Sequence, residues 1–303
     1  MRSTRILVSG GTGFIGTALC DRLSASGFIV YVLTRKKPLP HHQAKITYLN
    51  TLNELSDTPI DIVINLAGES IAKRWTRTAK QMIYDSRILT TRALVDYMRQ
   101  AQHKPTLFIS ASAIGYYGYD HPDQVFAEDT VVQKTTGFAQ SICQDWEAEA
   151  KRAQDLGIRL ILLRIGPVLG KNGGMLSKLL PSVQHGLGAQ MGNGKQWISW
   201  IDRDDLISLF LFLIHHPNLE GPVNATAPYP VSNKEFSLAL AKVLNKPLYL
   251  TIPDIIMRIL FGDMATEIML NGHRVLPNRI TTEGFSFAYP RIEASLSKNV
   301  VND

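Results

Sequence analysis

Arg5-Ile-Leu-Val-Ser-Gly-Gly-Thr-Gly-Phe-Ile-Gly16 is the stretch that decides the fold. Ile6, Leu7 and Val8 form an apolar run too short for a helix and suited to a strand buried on both faces. Gly10, Gly11, Gly13 and Gly16 follow at once. From Phe14 onward the apolar spacing turns helical, with Ile15, Leu19 and Leu23 on one face. The glycines therefore sit in a strand-to-helix turn, which needs positive φ and a bare backbone. A pyrophosphate can rest there on free N–H groups at the positive end of the helix. A Gly-x-x-Gly-x-x-Gly pattern alone is weak, but here the preceding strand, the following helix and a second strand at 28–34 supply the context it requires. The predicted dinucleotide contacts in this turn are Gly10, Thr12, Gly13, Phe14, Ile15 and Gly16.

The second strand ends in Thr34-Arg35-Lys36-Lys37. An NAD-preferring site carries a carboxylate about 20 positions past the glycines to hold the ribose 2′-hydroxyl. Arg35 stands there instead, and a guanidinium suits a 2′-phosphate in charge and geometry. The expected cofactor is NADP.

The 303 residues are 45% hydrophobic and 19% charged, an ordinary globular balance with room for a large core. The two cysteines, Cys20 and Cys143, fall in different expected helices and read as reduced, which points to the cytoplasm. The chain enters a strand without a basic-then-apolar leader. Its longest apolar run, 206–214, falls short of the roughly 20 residues of a membrane span. The net charge of +6 comes without a Lys/Arg run interleaved with aromatics, so neither nucleic acid nor membrane is an expected partner. The adjacent pairs His41-His42 and His215-His216 lack metal-ligand spacing, and no metal is expected.

Further strands are expected at 45–49, 61–68, 106–110 and 159–164, with helices at 78–101 and 138–156. This alternation predicts a doubly wound parallel sheet with helices on both faces over residues 1–165. Asn65-Leu66-Ala67-Gly68 closes the fourth strand where such sheets bind ligands. Ser110-Ala-Ser-Ala-Ile-Gly-Tyr-Tyr-Gly118 reads as a small-residue loop after the fifth. From Gly166 the pattern changes to a smaller α+β lobe. It has helices ending at Gln184 and spanning 204–215 and 232–244, a glycine-rich loop at 186–194 and a strand at 221–228 that joins the sheet. Residues 166–246 are expected to form substrate-binding lobe segments, and 247–303 a small C-terminal domain.

These residues resemble the extended short-chain dehydrogenase/reductase superfamily. The matching features are Gly10-x-x-Gly13-x-x-Gly16, Asn65-Leu-Ala-Gly68, the serine segment 110–118 and Arg164-Ile-Gly-Pro-Val168. More narrowly, Asn65-Leu-Ala-Gly-Glu-Ser70, Ser86-Arg87, Asp145-Trp-Glu147, Gly194-Lys-Gln-Trp-Ile-Ser-Trp-Ile201 and Gly221-Pro-Val-Asn-Ala-Thr-Ala-Pro228 are similar to the atypical, nucleoside-diphosphate-sugar epimerase-like group. The tail phrases Gly262-Asp-Met-Ala265, Arg274-Val-Leu-Pro277 and Gly284-Phe-Ser-Phe287 resemble that group's C-terminal domain. Asp202-Arg203 stands where the group often has His. The resemblance implies an NADP-binding Rossmann domain with a substrate lobe. It places Arg35 at the 2′-phosphate and Leu66, Ala67 and Gly68 beside the ribose and pyrophosphate. Arg87 and Ser110 fall on the cofactor wall, and Val168 at the nicotinamide end. By analogy alone it implies a homodimer through helices 78–101 and 138–156.

Extended members use a serine, a tyrosine and a lysine four residues after the tyrosine, the lysine lowering the tyrosine pKa. Ser112 falls at the serine position. Phe138 and Ile142 fall at the other two, and neither carries a proton. The nearby lysine is Lys134. Tyr116 or Tyr117 is the substitute phenol, with Tyr117 preferred; Glu128, Asp129, Asp145 and Glu147 are the substitute carboxylates. Trp197 and Trp200 read as cleft wall. Two functions follow: an NADP-dependent oxidoreductase or epimerase-like enzyme on a small polar, sugar-nucleotide-type substrate, and a non-catalytic NADP-binding regulator related to cell division.

Overall fold

The computed structural model describes residues 3–35, 45–119, 124–132 and 137–300. Lys36, Lys37, His41, His42 and Lys134 lie outside them. The main sheet consists of Arg5–Ser9 (β1), Ile29–Leu33 (β2), Ile46–Leu49 (β3), Ile62–Asn65 (β4), Leu107–Ala113 (β5), Arg159–Ile165 (β6) and Gly221–Ala225 (β7). Its order is β3-β2-β1-β4-β5-β6-β7, and every pairing is parallel.

Alternation along the strands builds two apolar layers, because successive side chains point to opposite faces. Ile6, Val8, Val30, Val32, Ile64 and Ile109 face one side. There they meet Leu19 and Leu23 of helix Phe14–Ala25 (α1). Leu206, Leu209 and Phe210 of a later helix, Arg203–His215, cover the same side. Leu7, Val63, Phe108, Leu160 and Leu162 face the other side. They meet Leu94, Val95 and Met98 of Arg77–Gln100 (α2) and Ala150 of Phe138–Lys151 (α3). Both faces are covered, as an all-parallel sheet requires.

Three local expectations are corrected. Residues 110–113 are not a loop: β5 runs on through Ala113 because it stays paired to β6 up to Ala113–Ile165. Ser110 and Ser112 are therefore strand residues. The helix expected over 138–156 ends at Lys151, and a short 3-10 turn covers Gln154–Leu156 before Gly157 at φ +72°. The glycine-rich segment 186–194 contains a strand, Ala189–Met191, paired to Leu250–Ile252.

The lobe has its own core of Trp200, Leu176, Phe236, Leu240, Ile292 and Leu296. The helices after α3 are Leu176–Gln184 (α4), Arg203–His215 (α5), Asn233–Val243 (α6), Asp254–Phe261 (α7), Asn278–Thr282 (α8) and Ile292–Val300 (α9), of which α4, α6 and α9 supply this core while α5 and Ile280 of α8 join the main-sheet core. The tail is threaded through the rest of the molecule. Leu250–Ile252 pairs with Ala189–Met191, Arg274–Val275 pairs with Val125–Phe126, and α9 packs on α6.

Asp202 fastens this tail. It is fully buried at the N-cap of α5, where it accepts from the Asp204 amide at 2.8 Å. From α9 it also accepts from Ser295 Oγ at 2.6 Å, Asn299 Nδ2 at 2.8 Å and Lys298 Nζ at 2.8 Å. Asp202→Ala removes a cap and the acceptor shared by three α9 donors, of which Lys298 keeps Asp204 and Asn299 keeps the Ser295 carbonyl, and is expected to cost about 2 kcal/mol in urea unfolding, with Asp202→Asn costing less. Burial pushes the Cys20 and Cys143 thiols up to about 12. A disulfide reagent at mildly alkaline pH should therefore leave both unmodified in the native protein and label both in denaturant.

Candidate functional site

β1 and β4 are neighbours, yet the helices that follow them cover opposite faces of the sheet. The crevice between their carboxyl ends is the switch point where such sheets bind ligands. Gly10 turns the chain there at φ +74°, and a Cβ on it would lie 2.6 Å from the Leu66 carbonyl. Gly16 is equally constrained, since its Cβ would run into the Gly10 carbonyl oxygen. Gly13 caps α1 without a side chain, and the first turn carries no acid. The N-terminus of α1 thus presents bare backbone to the crevice. Thr12 Oγ1 lies 3.5 Å from Thr34 Oγ1 at the end of β2. Phe14 packs its ring on Gly170, Gly173 and Gly174, with the Arg203 guanidinium 5.0 Å from the ring. Ile15 packs against the large core cluster that also contains Val168, whose short strand pairs with that of Ile201.

The opposite wall is Leu66-Ala67-Gly68. A buried polar chain fixes it: Ser9 Oγ donates to Asn65 Oδ1 at 2.6 Å, and Asn65 Nδ2 donates to Thr91 Oγ1 at 2.8 Å. The Ala67 amide donates to the same Asn65 oxygen at 3.2 Å. Thr91 also accepts from Trp146 Nε1 at 2.9 Å and donates to the Arg87 carbonyl at 2.7 Å. Arg87 rests its guanidinium 5.2 Å from the Trp146 ring and against Gly68, and donates to the carbonyls of Glu69 at 3.0 Å and Ile83 at 3.1 Å. Burial pushes its pKa down. An anion in the crevice would relieve that cost. Arg35 is exposed at the end of β2. Glu69 is drawn toward this corner: Lys73, at 3.0 Å, holds its carboxyl below the usual range, and the Arg35 charge adds to the effect.

This cradle fits a nicotinamide dinucleotide. It has glycines where a Cβ would meet the facing backbone, an uncapped helix N-terminus suited to a pyrophosphate, and the exposed Arg35 just after the neighbouring strand β2. Ser110 stands beside Asn65 in register but is fully buried.

The residues expected near the chemistry fall into two groups. Ser112, Glu147, Arg164, Tyr117 and Asn224 form a single buried chain. Ser112 Oγ donates to Glu147 Oε1 at 2.8 Å. Arg164 grips both Glu147 oxygens at 2.8 and 3.0 Å and donates to Tyr117 Oη at 3.0 Å. Tyr117 Oη lies 2.8 Å from Asn224 Oδ1. Burial raises the Tyr117 pKa, against the pull of Arg164. Tyr116 lies under the Arg164 guanidinium at 3.5 Å. Glu128 is buried and accepts from the Asn224 amide, while Asp129 and Asp145 are exposed.

Phe138 belongs to an apolar cluster with Trp75, Ile142, Cys143 and Met264, against which Tyr116 also packs. Its ring is 5.1 Å from that of Trp75 and 5.3 Å from Lys80 Nζ. The amides of Phe138 and Ala139 at the start of α3 donate to Glu267 at 3.1 and 2.7 Å. Trp200 is core rather than cleft wall, with its indole bonded to the Tyr229 carbonyl, whereas Trp197 lies half-buried against Arg274. Sequence reasoning assigned no role to Arg164, Arg203 or Glu267. An arginine inside the apolar run of β6 was a usable signal for Arg164. Nothing local marked Glu267. Among the described residues no set of His, Cys, Asp and Glu could hold a metal ion, and no helix is long and apolar enough to cross a membrane.

Fold and crevice together define a Rossmann dinucleotide-binding protein with a C-terminal lobe. Residues 6–225 match the model of the NAD dependent epimerase/dehydratase family, and residues 252–298 match a domain of unknown function, DUF1731. The chain is 38% identical over 297 residues to an epimerase family protein of Staphylococcus epidermidis, covering 96% of this chain and 97% of that one. It is 37% identical over 301 residues to one of Mycobacterium leprae, covering 98% and 95%. The human epimerase family protein SDR39U1, solved with NADPH, superposes with a TM-score of 0.85 at 28% identity over 97% of this chain and 98% of that one. A nucleoside-diphosphate sugar epimerase of Corynebacterium glutamicum gives 0.78 at 28% identity, over 99% of this chain and 58% of that one. The chain belongs to the NAD dependent epimerase/dehydratase family.

Glu147→Ala would leave the buried Arg164 guanidinium without its anion. It is expected to cost roughly 3–5 kcal/mol in denaturant unfolding, with Glu147→Gln losing less because its amide oxygen still accepts from Ser112.

Proposed function

We propose that the protein binds NADP(H) in the β1/β4 crevice and acts as an oxidoreductase or epimerase-like enzyme on a small polar substrate, with sugar nucleotides as the class to test first. The bare N-terminus of α1, pressed against Leu66 through Gly10, carries this reading. The NADPH in the human relative supports it. Arg35 is the proposed ligand of the 2′-phosphate, and Leu66, Ala67 and Gly68 line the ribose and pyrophosphate. Arg87 supplies positive charge on the same wall. The bound dinucleotide would supply hydride transfer. The chain's part is to orient the reactants: Val168 and Phe14 close the nicotinamide side, and Ser112 offers the hydroxyl for the reacting oxygen once it turns from Glu147. Tyr117, buried between Arg164 and Asn224, holds that frame. We place the protein in the cytoplasm.

A second reading has its own observation. Phe138 and Ile142 fill the tyrosine and lysine positions with packed hydrocarbon, which favours a regulator that binds NADP without turnover. Fluorescence titration and a turnover panel separate the two. NADPH should bind far more tightly than NADH. Arg35→Ala should weaken NADPH by roughly 10- to 100-fold and leave NADH unchanged. Gly13→Asp, a good helix cap with the wrong charge, should abolish both while the fold survives. Equal affinity for the two dinucleotides overturns Arg35. Oxidation of NADPH by any carbonyl compound or sugar nucleotide in the panel establishes the enzyme, and tight binding with no oxidation favours the regulator.

A further inference from the structure

The first turns of α2 project past the sheet. Arg87 lies against Gly68, just beyond the end of β4, so the helix from Arg77 to that point extends over the carboxyl edge, where such folds bind ligands. There an open cavity of about 390 Å³ is lined by Trp75, Arg77, Lys80, Gln81, Tyr84 and Phe138. Arg77, Lys80, Gln81 and Tyr84 stand three or four residues apart and share one face of α2. Trp75, just ahead of α2, and Phe138, the first residue of α3, form the second wall, with their rings 5.1 Å apart at 74°. The volume suits a small organic molecule. None of these six residues lines the β1/β4 crevice.

The polar groups of the cavity are tied down, with one exception. Lys80 Nζ bonds to Asp263 at 2.7 Å and lies 5.3 Å from the centre of the Phe138 ring. Gln81 Nε2 donates to Asp85 at 2.8 Å, and the Tyr84 phenol is bonded to Asp145. The exposed Arg77 guanidinium has no hydrogen bond or ion pair among the described residues. We propose that this cavity binds an organic anion built on a planar ring. The ring lies against Trp75, Phe138 and Tyr84, and its carboxylate or phosphate sits on Arg77. A guanidinium fork matches two oxygens of either head group, and aromatic walls take a ring at small entropic cost. A neutral ring gains nothing from Arg77. A polyanion meets Asp85 and Asp263 at the rim. The proposal goes beyond the dinucleotide reading and uses no residue of that site.

Calorimetric titration of the full chain tests it, with circular dichroism melts confirming that each variant folds. Naphthoate and naphthyl phosphate supply the ring with each head group; naphthylmethanol lacks the charge, and cyclohexanecarboxylate lacks the aromatic ring. At least one naphthyl anion should bind with a Kd below about 1 mM, and both controls should bind roughly 10-fold more weakly or worse. Arg77→Ala should weaken the naphthyl anion by about 10-fold, and Arg77→Lys by less. Phe138→Leu, which keeps the bulk and removes the ring, should weaken it roughly 3- to 10-fold. No binding of either naphthyl anion up to roughly 5 mM overturns the proposal, as does equal binding of naphthylmethanol. Affinity that Arg77→Ala leaves unmoved overturns it too. Displacement of the anion by NADPH puts it in the crevice instead and also overturns the proposal.

Discussion

The molecule depends on one close backbone approach. Gly10 passes Leu66 with no room for a single carbon between them, at the place where β1 and β4 send their helices to opposite faces of the sheet. Everything that follows inherits that spacing. It sets α1 with its uncapped N-terminus beside the end of β4. The polar chain from Ser9 through Asn65 and Thr91 to Trp146 holds the spacing from beneath. It ties β1, β4, α2 and α3 together with satisfied groups, which buried polar atoms require.

The central sheet was legible because its signals are local. Periodicity changes from strand to helix within the first 20 residues, and glycines mark the turn where a side chain cannot fit. Where the sequence misled, longer-range pairing had decided the outcome. Ser110 and Ser112 lie in small residues that look like a loop, but continued pairing with β6 keeps them in a strand. The absence of a tyrosine and a lysine early in α3 was readable. The cluster that packs around Phe138 was not, because Met264 and Trp75 reach it from distant segments. Arg164 shows the intermediate case. A charge inside an apolar strand signals a partner without saying which, and only the fold brings Glu147 to it.

The two halves of the expected catalytic apparatus have gone different ways. The serine side is retained and wired into a buried bidentate ion pair. The tyrosine side has become hydrophobic packing. Buried ion pairs are weak contributors to stability but strong constraints on geometry, since a misplaced partner leaves an uncompensated charge. The protein therefore keeps a rigid polar chain whose neighbour Tyr116 packs directly against the apolar cluster that holds Phe138.

The cap that Glu267 places on α3 has a consequence for how the chain assembles. The amides it satisfies belong to residues 138 and 139, separated from it by 129 and 128 positions. Contacts of that span are slow to form, because a long loop must close before they contribute. During synthesis the sheet and α3 leave the ribosome well before their cap, with two helix amides still bonded to water. The first turn of α3 is thus completed by a residue made 128 positions later, and the order of translation becomes the order in which that end of the helix matures.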